Sequence, residues 1–223
     1  MKRIFLIAIS TLLTLHLNAQ KVTQFMGIPV DGTKSKMIQK LEQKGFEYNS
    51  YGDYLTGEFN GRDVQVFIVT NRDKVRRIYV VDKYGTSSVS KIKNRFNTLC
   101  YQFENNPKYY KYTSVENNQQ IADDEDISYE ITVNDKQYEA VFYQISNDEL
   151  VAIEQDCTQD RNINDTTITE EQRTTIINDC VWYALFEVKP KYSVWFTIHK
   201  SNGEYTIGIY YDNGYNEPNG EDL

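Results

Sequence analysis

The chain has 223 residues, 24 basic and 32 acidic, with a formal net charge of −8 at neutral pH and no basic run longer than Arg76-Arg77. That balance argues against phosphate backbones and anionic membrane surfaces as partners, so no nucleic acid is expected. Only two histidines occur, and one of them, His16, falls in the N-terminal apolar run. His199 alone would remain after processing, which excludes the multi-histidine zinc geometries and leaves any Ser-His-Asp or Cys-His arrangement dependent on one residue.

Lys2 and Arg3 precede an apolar run from Ile4 to Leu17 and then Asn18-Ala19-Gln20. A short basic region, an apolar stretch of this length and a small residue at the cut predict a signal peptide over residues 1–19. The run is shorter than the ~20 residues a membrane span needs, and no other stretch comes near it. The protein is therefore expected to be exported, periplasmic or secreted, with no membrane span. No cysteine lies near the cut to carry a lipid anchor.

A first unit is predicted over residues 20–104. Pro29 biases Ile28 towards an extended conformation, and Asp31-Gly32 makes a turn. Thr33 reads as the N-cap of a short helix with Met37, Ile38 and Leu41 on one face, ended by Gly45. Asn60-Gly61 then signals a two-residue hairpin, which pairs Phe59 with Arg62, Gly57 with Val64 and Leu55 with Val66. Leu55, Phe59, Val64, Val66 and Ile68 share the face that the helix should cover. Glu58 falls opposite Asp63, a like-charge pair that Arg76 or Arg77 is expected to offset. A third strand spans Val75 to Val81. From Ser88 the apolar positions Val89, Ile92, Phe96, Leu99, Cys100 and Phe103 recur at helical spacing.

Residues 105–120 read as a polar connector with Pro107 and three tyrosines. The second unit, residues 121–223, is predicted to hold strands at 127–133, 138–145 and 150–153, followed by a polar excursion at 156–180. Within it a capping box of Thr169 and Gln172 opens a short helix to about Asp179. Strands at 181–188, 192–199 and 205–211 follow, the last two joined by Asn202-Gly203. The plan of helix and three antiparallel strands is thus read twice. The fold class expected is α+β, antiparallel sheet with helices on one face in two tandem units.

Cys100, Cys157 and Cys180 make an odd count, which in an exported protein suggests one disulfide and one leftover thiol. Cys157 and Cys180 bracket the polar excursion, whereas Cys100 sits in an apolar stripe where cysteine behaves as a small hydrophobe. Pairing the first two would contribute roughly 3 kcal/mol in the chain-entropy model; the alternative is three free thiols.

Three candidate sites stand out. Asp160, Asn162, Asn164 and Glu171 have the spacing of an oxygen-ligand calcium loop, although Asp165 occupies the position where the sharp turn needs glycine. A solvated polar insertion is the competing reading, as it is for Asp123-Asp124-Glu125-Asp126. The 18 tyrosines supply rigid contact area for protein partners or stacking faces for sugars, and they also fill half-buried sheets. The group Tyr109, Tyr110 and Tyr112 is the least readily explained by structure and is a ligand-binding candidate. The third is carboxylate chemistry: among so many acids some pair falls at a glycosidase separation by chance, so none is assigned. No phosphate loop, nucleophile elbow or Cys-His pair is present.

FMGIPVDG, LEQKGF with LTGEFNGRDV, and the ending YYDNGYNEPNGEDL together resemble small exported proteins of Bacteroidetes bacteria that carry no assigned activity. The resemblance implies export and a two-part fold and assigns no catalytic residue. Asp165-Thr166-Thr167 is similar to the short O-glycosylation signal of such bacteria. The plan also looks like β-lactamase-inhibitor-protein-like modules, a fold analogy with little functional weight. The functional expectation is an exported, non-catalytic module binding a protein or glycan through an exposed sheet face or its tyrosine-bearing loops. The alternative is a carboxylate-dependent hydrolase acting on envelope or dietary polymers.

Overall fold

A computed structural model describes residues 21–110, 119–160, 169–188, 192–218 and 220; the stretch expected to be a signal peptide lies outside them. The fold is α+β. Two short strands, β1 (Gln24–Phe25) and β2 (Ile28–Pro29), form a small hairpin, and α1 (Lys34–Glu42) follows. Thr33 caps α1 by accepting from the Lys36 amide at 3.5 Å. Gly45 leaves it at φ +95°, which lets the Phe46 amide return to the Leu41 carbonyl at 3.2 Å.

Strands β3 (Glu47–Asn49), β4 (Tyr54–Phe59), β5 (Arg62–Asn71) and β6 (Lys74–Asp82) form an antiparallel meander. The β4–β5 register is the one expected, with Phe59 opposite Arg62 and Leu55 opposite Val66. Glu58 does stand opposite Asp63. The arginines expected to relieve that pair are engaged elsewhere, Arg76 with Glu217 and Arg77 with Asp212. Helix α2 (Val89–Glu104) is capped by Ser88 and buries Ile92, Phe96, Leu99, Cys100 and Phe103.

The second half departs from expectation in three places. Residues Ile127–Val133 form helix α3, not a strand. Alternation of Ile127, Tyr129, Ile131 and Val133 also places Ile127 and Ile131 four apart, on one helical face. Ile127 is buried and Ile131 packs on the core, while Tyr129 and Val133 are exposed. Asp126 accepts from the Tyr129 amide at 3.1 Å, so an acid from the apparent solvated loop is the cap.

Leu150–Ile153 lies inside α4 (Asn147–Asp160). The missed signal is a capping box, Ser146-Asn147-Asp148-Glu149: the Glu149 carboxylate accepts from the Ser146 amide at 2.7 Å, and Ser146 Oγ accepts from the Glu149 amide at 3.4 Å. Finally, α5 (Glu170–Val188) runs through the expected strand at 181–188. Its capping box is as read, with Thr169 Oγ1 and Gln172 Oε1 each accepting the other's amide. No glycine or proline interrupts the sequence before Pro190, so the helix continues despite its β-branched and aromatic residues. The described parts of the polar excursion are thus the end of α4 and the first turns of α5, joined by a Cys157–Cys180 disulfide with the Cα atoms 5.7 Å apart. Cys100 is buried and outside that disulfide.

Strands β7 (Glu139–Tyr143), β8 (Ser193–Ser201) and β9 (Glu204–Asp212) complete the sheet, followed by a 3-10 turn at Gly214–Asn216. Its order is β3-β4-β5-β6-β9-β8-β7, antiparallel throughout. The two halves meet where β6 pairs with β9. Met37 and Leu41 of α1, Ile92, Phe96, Leu99 and Phe103 of α2 and Ile127 of α3 share one buried cluster with the inward rows of β4 to β9. The central strands are Ile78 opposite Tyr211 and Val80 opposite Ile209. Ile78→Ala or Ile209→Ala should each cost about 2–5 kcal/mol. Because one sheet joins both halves, urea unfolding followed by far-UV circular dichroism and by aromatic fluorescence should give coincident midpoints; two separated transitions would contradict this.

Candidate functional site

Side chains alternate across a strand, so burying one row of every strand sends the other row to the opposite face. On that outer face the register aligns aromatic residues from neighbouring strands. Tyr54 of β4 meets Phe67 of β5, with ring centroids 5.6 Å apart. Phe67 is opposite Tyr79 of β6, Tyr79 opposite Tyr210 of β9, and Tyr210 opposite Trp195 of β8. Those three pairs are stacked, at 5.7, 4.6 and 3.9 Å with interplanar angles of 26°, 15° and 10°. Val141 of β7 lies opposite Trp195 and extends the row across a sixth strand. All six side chains are half-buried.

A polar brace holds the centre. The Arg77 guanidinium donates to both carboxylate oxygens of Asp212, and Trp195 Nε1 donates to Asp212 Oδ2 at 2.8 Å. Arg77 also lies over the Trp195 and Tyr210 rings, at 5.5 and 5.1 Å, an arrangement in which the cation is attracted by the ring quadrupole. His199 Nε2 is 2.9 Å from the Tyr210 hydroxyl. Gly208 makes room for the row: a Cβ there would lie 2.8 Å from the Tyr79 ring and 2.7 Å from the His199 imidazole. Burial raises the Tyr79 phenol well above its ordinary value, reinforced by Tyr210. These phenols therefore stay neutral hydrogen-bonding groups at physiological pH.

The helices α1, α2 and α3 pack on the other face. The α4–α5 hairpin meets the sheet at its β7 corner, where Leu150, Ile153 and Val181 cluster with Tyr143, Ile145 and Tyr192. The aromatic row is the surface that this arrangement leaves outward. Sequence reading anticipated an exposed sheet face but not the row, because Tyr79 and Tyr210 are neighbours through a pairing of strands far apart in the chain.

The connector tyrosines have separate duties. Tyr109 packs on Phe103 with centroids 4.6 Å apart and borders a groove of about 660 Å³ at one end of the helix-covered side. Tyr110 exchanges two backbone hydrogen bonds with Tyr143, at 2.7 and 2.9 Å, and extends the β7 edge. Tyr112 lies outside the described residues. Of the expected calcium loop, Asp160 is the last residue of α4 and Glu171 stands in the first turn of α5. Asn162 and Asn164, like Asp165-Thr166-Thr167, lie outside the described residues. Among the described residues no group of three or more His, Cys, Asp or Glu side chains gathers at a metal-binding separation.

His199 gives the face a pH signature. Burial lowers its pKa, an effect partly offset by the Glu139 carboxylate. The folded protein therefore holds that proton less tightly than the unfolded chain. The contribution to stability is intact above the unfolded value of about 6.5 and is lost as pH falls from there through the folded value. The drop in melting temperature between about pH 7.5 and about pH 5.5 should be smaller in His199→Gln than in the parent; equal drops would contradict the assignment.

Compared with known proteins, the chain matches no family model, no curated protein and no solved structure.

Proposed function

We propose that this protein is an exported, non-catalytic binding module that docks a protein partner on the open face of its sheet. The observation that carries the reading is the row of five aromatic side chains with Val141, aligned across six strands and outside the helix-packed core. Aromatic residues with a polar handle are the side chains that dominate protein interfaces, because they bring large contact area with few torsions to fix. The row is also pre-formed. Its rings already hold one another, so binding orders little that is not ordered beforehand.

Protein is favoured over glycan by ring orientation. A sugar stacks on an aromatic face, but here the Phe67, Tyr79, Tyr210 and Trp195 faces are turned to one another and the Tyr210 hydroxyl is held by His199. Export is supported by the N-terminal basic and apolar pattern and by the Cys157–Cys180 disulfide, which persists in oxidising compartments. No described helix is long and apolar enough to cross a membrane. Periplasmic or secreted placement is equally compatible with these features. The hydrolase alternative would need two carboxylates facing each other across a cleft, and among the described residues none lining the Tyr109 groove is an acid.

The test is affinity capture from the envelope and culture fractions of the producing cell, with the parent and with a Phe67→Lys, Val141→Lys double variant. Both substitutions lie on the outer face, so an unchanged melting temperature is the fold control. The parent is expected to retain a stoichiometric protein partner and the variant to lose at least about 90% of it, since a desolvated hot spot is worth 2 kcal/mol or more. Equal capture by both proteins, or repeated capture of nothing by the parent, would overturn the proposal.

A further inference from the structure

The groove beside Tyr109 lies on the helix-covered side, away from the aromatic row. Its walls include the β1–β2 turn at Met26 and Gly27, the β4–β5 tip at Phe59 and Asn60, the C-terminal end of α2 with Gln102 and the following Asn106, and the segment after β7 at Gln144. Its volume of about 660 Å³ falls inside the range of small-ligand sites. Two kinds of surface line it.

One is an aromatic wall that is fixed before any ligand arrives. Tyr109 rests on Phe103, and its hydroxyl accepts from Gln144 Nε2 at 3.2 Å. Gln144 is itself held by both backbone groups of Gln24, each at 2.7 Å. Phe59 and Tyr211 meet edge to face at 6.5 Å behind it.

The other is an amide rim with hydrogen-bonding capacity to spare. Asn60 Nδ2 donates to Gln102 Oε1 at 2.8 Å, which leaves Asn60 Oδ1 and Gln102 Nε2 without partners among the described residues. Asn106 Oδ1 accepts from the Lys108 amide at 3.1 Å, and its own Nδ2 has no partner among the described residues. The rim thus alternates acceptor and donor over a partly apolar floor. Among the described residues no carboxylate lines the groove. Lys21 is paired with Glu149, and the C-terminal end of α2 brings the negative pole of its dipole to the same place. That pole and Lys108 oppose one another, so the groove favours neither anion nor cation.

We infer that this groove binds a neutral saccharide. A sugar hydroxyl both donates and accepts, as a primary amide does, and each free amide group on the rim can meet one. The C–H face of the pyranose ring supplies the apolar surface that Tyr109 and Phe59 want. The site is separate from the outer face, so it stands or falls independently of the partner-docking proposal.

The test uses the full exported chain and soluble tetrasaccharides of glucose, xylose and mannose, titrated to millimolar concentration by calorimetry and ligand-observed NMR, together with a neutral-glycan array. At least one probe should bind saturably. An Asn60→Gly, Gln102→Ala double variant, in which glycine keeps the φ of +51° that the hairpin turn needs at residue 60, should weaken that binding by at least about tenfold. The outer-face Phe67→Lys, Val141→Lys variant should bind the sugar as the parent does. Absence of saturable binding by every probe, or binding that the rim variant leaves unchanged, would overturn the inference; preferential binding of charged sugars would overturn the neutral assignment.

Discussion

The pairing of β6 with β9 is the constraint on which the rest depends. It joins strands from the two halves of the chain at the centre of the sheet, through five residue pairs from Arg77 with Asp212 to Val81 with Gly208. Inward, it sets Ile78 against Tyr211 and Val80 against Ile209, where α1 and α2 share one core. Outward, it sets Tyr79 against Tyr210 and Arg77 against Asp212. The same register therefore builds the core and the candidate binding face, and a one-residue slip would exchange them. The termini of the fold lock onto this seam as well. Thr23 Oγ1 donates to the Asp212 carbonyl, Asn213 Nδ2 to the Val30 carbonyl at 2.8 Å, and the Asn213 amide to the Arg76 carbonyl at 2.8 Å.

Sheet edges offer another route to partners, by strand addition, and the structure closes one of them. On the outer side of β7, Gln119 uses its side-chain amide as a surrogate strand: Oε1 accepts from the Val141 amide and Nε2 donates to the Val141 carbonyl. Tyr110 satisfies both backbone groups of Tyr143 in the same way. Gln144 repeats the device on Gln24 of β1. The opposite edge, β3, is three residues long, and short edge strands are poor templates for strand addition. The proposed docking therefore rests on the face, and the aromatic row and not an edge carries the functional reading.

What was legible in the sequence was local. The Asn60-Gly61 and Asn202-Gly203 hairpins, the Thr33 and Thr169 caps and the α2 stripe each depend on residues a few positions apart, and each is present as read. The three misread segments share one cause. Ile127–Val133, Leu150–Ile153 and Val181–Val188 are rich in β-branched or aromatic residues, a strand-like propensity that yields to capping chemistry at Asp126 and Ser146 and, in α5, to an uninterrupted run without glycine or proline. The aromatic row was beyond reach for a different reason. Each tyrosine reads alone as an ordinary strand residue, and only the non-local β6–β9 register makes neighbours of Tyr79 and Tyr210. Within the connector, Tyr109 walls the groove, while Tyr110 serves the β7 edge.

The central claim is that the outer face of the sheet is a protein-docking surface. Hydroxyl-radical footprinting read by mass spectrometry tests it most directly, comparing the purified chain with the same chain in the fraction where it resides. Tyr101 of α2 and Tyr129 of α3, exposed and on the helix-covered side, serve as internal references. The account predicts that oxidation of Phe67, Tyr79, Trp195 and Tyr210 falls in the native fraction while Tyr101 and Tyr129 are unchanged. Equal oxidation of the row in both settings would contradict it.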